Sequence, residues 1–115
     1  MNFKQFNSWE DICKHKGVDP VQSLPFPEPT TSYEVGMNAF HKVTTIREVL
    51  NEGTEHDGYY YYPWFDRSGG GFSFVGYRCA YTGSRVGARL SYNTSDIATH
   101  AGKTFIEEYK ELHNL

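Results

Sequence analysis

The apolar positions in the first half of the chain recur at the spacing of amphipathic helices. In "NSWEDICKHKG", Ser8 can cap a short helix that has a basic last turn and ends before Gly17. A longer helix is predicted to begin after Thr31 or Ser32 and to run to Glu52. Its apolar stripe repeats at every third or fourth position and comprises Val35, Ala39, Val43, Ile46 and Leu50. The segment between the two helices contains four prolines, which predict an extended linker.

From Tyr59 onwards the apolar pattern changes to a period of two, which predicts β-strands. Strands are expected near residues 59–66, 71–79 and 85–92. The sequence "RSGGG" favours a hairpin turn between the first two, because glycine adopts the positive φ angles of tight turns. Pro63 predicts an edge position or a bulge in the first strand, since proline has no backbone donor.

The chain ends in a second long helical pattern, predicted over residues 95–112. Its buried stripe comprises Ile97, Ala101, Phe105, Tyr109 and Leu112. The element order α-α-β-β-β-α predicts an α+β fold, with helices on one face of a small antiparallel sheet of three or four strands. We expect residues 1–30 to form a short helix and a proline-rich linker, and residues 31–115 to form a single domain.

Two features of the sequence bear on where the protein works. Cys13 and Cys79 lie far apart in the chain and are interpreted as two buried thiols of a reducing compartment, although a disulfide is possible. No apolar run has the length of a signal-peptide core or a transmembrane helix. A cytoplasmic protein without a membrane partner is therefore expected.

The charge of the chain is distributed unevenly. The whole chain has a formal charge of -3, which argues against a general nucleic-acid coat protein. Residues 59–94, however, contain four arginines and a single acidic residue, and they also contain all the aromatic side chains of the predicted strands. The predicted sheet is therefore basic and rich in aromatic rings, whereas the helices on either side of it in sequence are acidic.

The alternation in the third predicted strand indicates which face of the sheet carries its arginines. In "SRVGARLSY", four apolar residues at alternate positions are expected to face the helices, which places Arg85, Arg89 and Ser91 on the opposite face. Gly87 leaves backbone room between the two arginines, and paired guanidinium groups suit a phosphate or a carboxylate. The first strand adds either Tyr60, Tyr62 and Trp64 or, at the other parity, Tyr59, Tyr61 and Phe65.

Rings that stack on bases beside arginines that hold phosphates are typical of nucleotide recognition. The candidate ligand-binding residues are Arg85, Arg89, Ser91, Tyr60, Tyr62, Trp64 and Arg67. The alternative interpretation is that the rings cover the sheet as core and that the arginines pair with acidic helix residues.

Other patterns in the sequence do not indicate a phosphate-binding loop, a metal site or a catalytic residue. "HAGKT" resembles the end of a phosphate-binding loop, but the required earlier glycine is Ile97 and the segment lies within a helix. The five histidines show no metal-ligand spacing. Asp66, the sole acid of the basic segment, is interpreted as an ion-pair or turn residue rather than a general base. We therefore expect no enzymatic activity, no metal and no cofactor.

The motifs "YYPWF", "GFSF", "SRVGARLSY" and "IATHAGKTFIEEY", together with "VTTIREVLNEG", span about residues 38–109. In these motifs the chain resembles a family of small proteins encoded by bacteriophages and prophages of gut Bacteroidales. The resemblance implies a phage accessory protein that acts in the cytoplasm of an infected bacterium, and it assigns no catalytic residues. Such proteins bind a host protein, bind nucleic acid, or sequester a nucleotide signal of antiviral defence.

The arginine-and-aromatic face of an acidic protein favours sequestration of a nucleotide-type small molecule. A homo-oligomer is expected, since a partner subunit would cover the exposed edge of the sheet. A host-protein docking module and a single-stranded nucleic-acid binding protein remain the alternatives.

Overall fold

The computed structural model describes residues 2–81 and 90–114, with four helices and two strands in these ranges. In chain order the elements are α1 (Trp9–Lys16), α2 (Ser32–Leu50), β1 (Tyr59–Asp66), β2 (Ser73–Tyr81), α3 (Ser95–Thr104) and α4 (Ile106–His113). Short 3-10 turns lie at Phe3–Gln5 and Ser68–Gly70. The α+β fold class is therefore confirmed.

Both early helices begin at the predicted caps. The Ser8 hydroxyl accepts a hydrogen bond from the backbone N–H of Asp11, and Thr31 forms a reciprocal capping box with Glu34. Helix α1 ends at Gly17, whose φ of 73° is left-handed. These local signals define the helix ends because each one satisfies backbone groups that a helix terminus leaves unpaired.

The sheet in the described residues has two strands rather than three or four. Strands β1 and β2 form the predicted antiparallel hairpin. The register shifts between Trp64 and Phe65 because β2 carries one extra residue, Val75, so the bulge is in β2 rather than in the first strand at Pro63. On the other edge of β1, Tyr61 forms an isolated antiparallel bridge with Tyr92. Most of the predicted third strand, residues 85–89, lies outside the described residues.

The predicted helix over residues 95–112 is instead two helices with a bend at Phe105, where φ is -108° and ψ is 34°. Backbone hydrogen bonding continues across the bend, from Phe105 N to Ala101 O and from Tyr109 N to Phe105 O. Helix α3 packs on the two strands, whereas α4 packs on α2. The bend thus divides one apolar stripe between two packing partners, the sheet and α2.

One apolar core joins all four helices to the sheet. Helix α1 contributes Trp9, Ile12 and Cys13 to the same cluster that holds the buried stripes of α2 and α3. At its centre the hydroxyls of Tyr92 and Tyr109 form a 2.7 Å hydrogen bond. Because both rings are buried, their burial raises the pKa of each phenol. The pair remains neutral, and each of the two hydroxyl groups has a hydrogen-bond partner in the other.

Three further observations concern the expectations from sequence. Cys13 is buried as expected, but Cys79 is exposed on β2, so the expectation of two buried thiols is wrong for Cys79; both thiols are free. The proline-rich segment is held to α2 by Asn38, whose amide bonds both the N–H and the C=O of Phe26 at 3.0 and 2.8 Å. None of the described helices combines the length and the apolar character that crossing a bilayer requires.

Candidate functional site

The structure decides which side of β1 faces the helices. Pro63 is buried, and Tyr61 and Phe65 pack against the core cluster. Gly102 of α3 lies directly over this side, since a Cβ atom added there would come within 2.7 Å of Pro63. Tyr60, Tyr62 and Trp64 therefore point to the opposite side of the sheet, which is one of the two parities considered from the sequence.

Strand β2 adds an arginine to that opposite side. Because directly paired residues share a face, the pairing of Tyr62 with Arg78 places the guanidinium group beside the β1 rings. The Arg78 Cζ atom lies 5.0 Å from the centroid of the Trp64 ring. We define the outer face as Tyr60, Tyr62, Trp64 and Arg78.

The outer face combines accessible ring surface with a cation. Trp64 is 45% exposed, and its ring centroid lies 6.3 Å from that of Tyr62. The Tyr60 ring lies against His56, with 4.6 Å between the ring centroids and a tilt of 43° between the ring planes. A guanidinium that lies over an indole uses its planar face, so the N–H groups at its edge can still donate to phosphate oxygens. One of them, at Nη1, donates to the backbone carbonyl of Tyr77 at 3.1 Å.

Arg85 and Arg89 lie outside the described residues. On either side of this gap in the described residues, Tyr81 pairs with Tyr59 and Tyr92 bridges to Tyr61. Arg85 follows Tyr81 by four positions and Arg89 precedes Tyr92 by three. Both arginines are therefore close in sequence to residues that pair with β1.

Ser91 does not occupy the open face that the sequence pattern indicated. It is 4% exposed, and its carbonyl accepts hydrogen bonds from Arg47 Nε at 3.0 Å and Asn51 Nδ2 at 3.3 Å. The end of α2 thus fixes the backbone at Ser91, next to the Tyr92 bridge. The alternation expected of a strand does not hold at Ser91, where the described residues form a single bridge, at Tyr92, rather than a continuous ladder.

Arg67 also lies away from the outer face. Its Nη1 atom donates to the backbone carbonyl of His113 at 3.5 Å, at the end of α4 on the helix side of the sheet. A cation there interacts favourably with the negative end of a helix. Partial burial, with a smaller contribution from the charge of Arg67, lowers the pKa of His113. Arg67 therefore has a partner at the end of α4 and is not part of the outer face.

Asp66 is a turn residue, one of the two roles expected for it. Its Oδ1 atom accepts hydrogen bonds from the N–H and the hydroxyl of Ser68 at 2.9 and 2.6 Å. The hydroxyl bond, and then the N–H bond, lower the pKa of this carboxyl group. A carboxylate held in its ionised form in this way is a poor general base.

Two clefts among the described residues are lined by residues outside the outer face. A cleft of about 450 Å³ is lined by Gln5, Phe6, Asp11, Lys14 and His15, and one of about 370 Å³ by Gln22, Pro25, Phe26, Pro27 and Glu28. Among the described residues, no three His, Cys, Asp or Glu side chains are grouped so that they could hold a metal ion.

Sequence reasoning missed Arg78. It is one of the four arginines of the basic segment, but its face depends on a bulge in β2, whereas the sequence indicated a bulge only in the first strand, at Pro63. Comparison of the chain with protein-family models, with curated proteins and with solved structures found no match.

Proposed function

We propose that this protein binds a phosphate-bearing small ligand, a nucleotide-type signal, on the outer face of its hairpin. The observation that supports the proposal most strongly is the placement of Arg78 over the exposed ring of Trp64. A nucleotide presents a ring to stack and a phosphate to neutralise, and the outer face offers a partner for each. Tyr60 and Tyr62 extend the ring surface along β1.

Charge supports the same ligand class. The basic segment 59–94 carries a net charge of +3 in a chain of -3. Arg85 and Arg89 belong to this segment, and we include them in the proposed site on the strength of the sequence. A small anionic ligand touches only this segment, whereas a long single strand of nucleic acid would also meet the acidic surroundings.

The proposed role is sequestration without turnover. The resemblance of its motifs to those of small phage and prophage proteins supports a phage accessory protein that works in the cytoplasm of its host and removes a nucleotide signal of antiviral defence. We further propose that it is a homo-oligomer that needs no cofactor. The specific observation that favours the alternative of host-protein docking is the exposure of Trp64 together with Val75 and Tyr77 on the same hairpin.

Calorimetry tests the proposal. Wild-type protein and the variants Arg78→Ala and Arg89→Ala are titrated with a panel of cyclic nucleotides, ADP-ribose-type compounds and a single-stranded oligonucleotide. Loss of an arginine–phosphate contact should weaken binding about tenfold to a hundredfold. The matched control is Arg67→Ala, which removes an exposed arginine at the opposite side of the sheet and should leave the affinity unchanged.

The other outcomes discriminate the alternatives. Binding of the oligonucleotide alone would replace the proposal with single-stranded nucleic-acid binding. If no panel member binds and a cellular protein is retained through Trp64, the docking module takes its place. Chromatography after incubation should return every bound nucleotide intact, and any product would overturn the non-catalytic role.

A further inference from the structure

The backbone hydrogen bonds of β1 determine in which direction the backbone N–H and C=O groups of β2 point. Tyr61 and Tyr92 exchange both of their backbone hydrogen bonds, so the N–H and C=O of Tyr61 point away from β2. Tyr61 and Cys79 are therefore a non-hydrogen-bonded pair, and the backbone groups of Cys79 point away from β1. The same holds for Tyr77, two positions earlier, which lies opposite Pro63.

One contact supports this orientation independently. The carbonyl of Tyr77 accepts its hydrogen bond from the Arg78 guanidinium, which reaches it from outside the ladder. Within the described residues β2 is paired on one side only, so Tyr77 and Cys79 present donors and acceptors along its outer edge. Such an edge is a template for another strand.

The side chains beside this edge are also uncovered. Val75 is 55% exposed and Tyr77 is 44% exposed, and Cys79 is exposed as well. Helix α3 lies over Phe74, near the turn of the hairpin, and over Pro63 on β1, as the contacts around Gly102 show. The middle of β2 is therefore accessible from the edge, and its sequence, "SFVGYRCAY", contains a single charge.

We propose that a second copy of this chain pairs with β2 in an antiparallel manner, so that the two hairpins form one four-stranded sheet across a two-fold axis. The charge on Arg78 selects the register. An axis at Arg78 would place two guanidinium groups directly opposite each other, which is unfavourable. An axis at Tyr77 would place Val75, at the bulge where the ladder is irregular, opposite Cys79 of the second copy.

An axis at Cys79 meets neither difficulty. It pairs Cys79 with its own copy, Tyr77 with Tyr81 of the second copy, and Arg78 with Ala80 of the second copy. Since opposed residues share a face, the two outer faces become one surface, on which the two Arg78 side chains start from diagonal positions about 7–8 Å apart. The dimer does not require ligand, so the interface and the proposed function can fail separately.

Light scattering on the full chain without ligand tests the proposal. The expected mass is twice that of the 13.2 kDa chain. Tyr77→Lys places a charge on the edge and should give a monomer. The matched control is Tyr33→Lys, at a tyrosine of α2 that is 61% exposed, and it should remain a dimer.

Chemical cross-linking locates the axis. Cys79 is exposed and Cys13 is buried, and the chain has no other cysteine, so a short bis-maleimide should link two chains through Cys79. Cys79→Ser should abolish the link. Circular dichroism verifies that Tyr77→Lys is folded. If this variant is unfolded, the presence or absence of the Cys79 cross-link in wild-type protein tests the proposal instead. A monomeric wild type would overturn the proposal, and so would a dimer that does not cross-link at Cys79 or that survives Tyr77→Lys.

Discussion

Replacement of Gly102 by alanine tests the close packing that determines which rings of β1 face outward. An ideal Cβ atom at this position would lie 2.5 Å from two ring atoms of Phe74 and 2.7 Å from Cβ of Pro63. Both distances are far inside van der Waals contact, so either α3 or the hairpin must move. Overpacking of this kind costs about 1–3 kcal/mol.

A second effect of the substitution has the opposite sign. Alanine is favoured over glycine within a helix by about 1 kcal/mol, and Gly102 lies inside α3. Phe74 is half-buried and can rotate, but Pro63 is a buried ring in the middle of a strand and cannot. We therefore expect the clash to exceed the helix gain and the free energy of unfolding to fall by about 1–2 kcal/mol.

Urea unfolding of wild type and Gly102→Ala measures this difference. The control is Gly71→Ala, because a Cβ there meets only Ser68 O at an ordinary 3.5 Å and the backbone is not left-handed. In a second cycle, Phe74→Ala removes part of the clash and should reduce the cost of Gly102→Ala. An unchanged or increased stability of Gly102→Ala would refute the packing argument.

Three further predictions each concern a single residue of the core, the sheet or α2. Tyr92→Phe should lower the free energy of unfolding by about 1–3 kcal/mol in urea titrations, because it leaves the buried Tyr109 hydroxyl unpaired, and adding Tyr109→Phe should recover part of the loss. Gly76→Ala should cost about 1–3 kcal/mol in the same assay although its Cβ meets nothing within 4 Å, since Gly76 has a φ of 149°; a neutral result would contradict the strain argument. Burial lowers the pKa of His41 below its usual 6.5, so stability is fully present above that pH and is lost as the pH falls through the lower folded-state value. His41→Gln should flatten this acid-side decline in thermal melts, and an unaltered slope would contradict it.

Much of the fold follows from local signals in the sequence. The caps at Ser8 and Thr31 were predicted because each is read from a few neighbouring residues. The bend at Phe105 could not be predicted in this way. The apolar stripe continues through it without a break, and only the separate positions of the sheet and α2 require two helices.

Only part of the candidate site could be predicted, because it too depends on how distant elements pack together. Alternation in β1 separates two sets of rings but does not state which set is buried, because both contain large aromatic side chains. Gly102 makes that choice by allowing α3 to approach Pro63 and Phe74. "HAGKT", which suggested a phosphate-binding loop, thus contains a glycine whose role is helix–sheet packing.

The face of the sheet on which Arg78 lies depends on one extra residue in β2. From the turn, Asp66 pairs with Ser73 and Phe65 with Phe74, and a regular continuation would pair Arg78 with Tyr61 on the helix side of the sheet. The bulge after Phe74 inserts one position, so that Arg78 pairs with Tyr62 instead. Gly76, at a φ of 149°, provides the backbone conformation at this point. The cation reaches the Trp64 ring only because of this shift, which a strict period of two in the sequence does not contain.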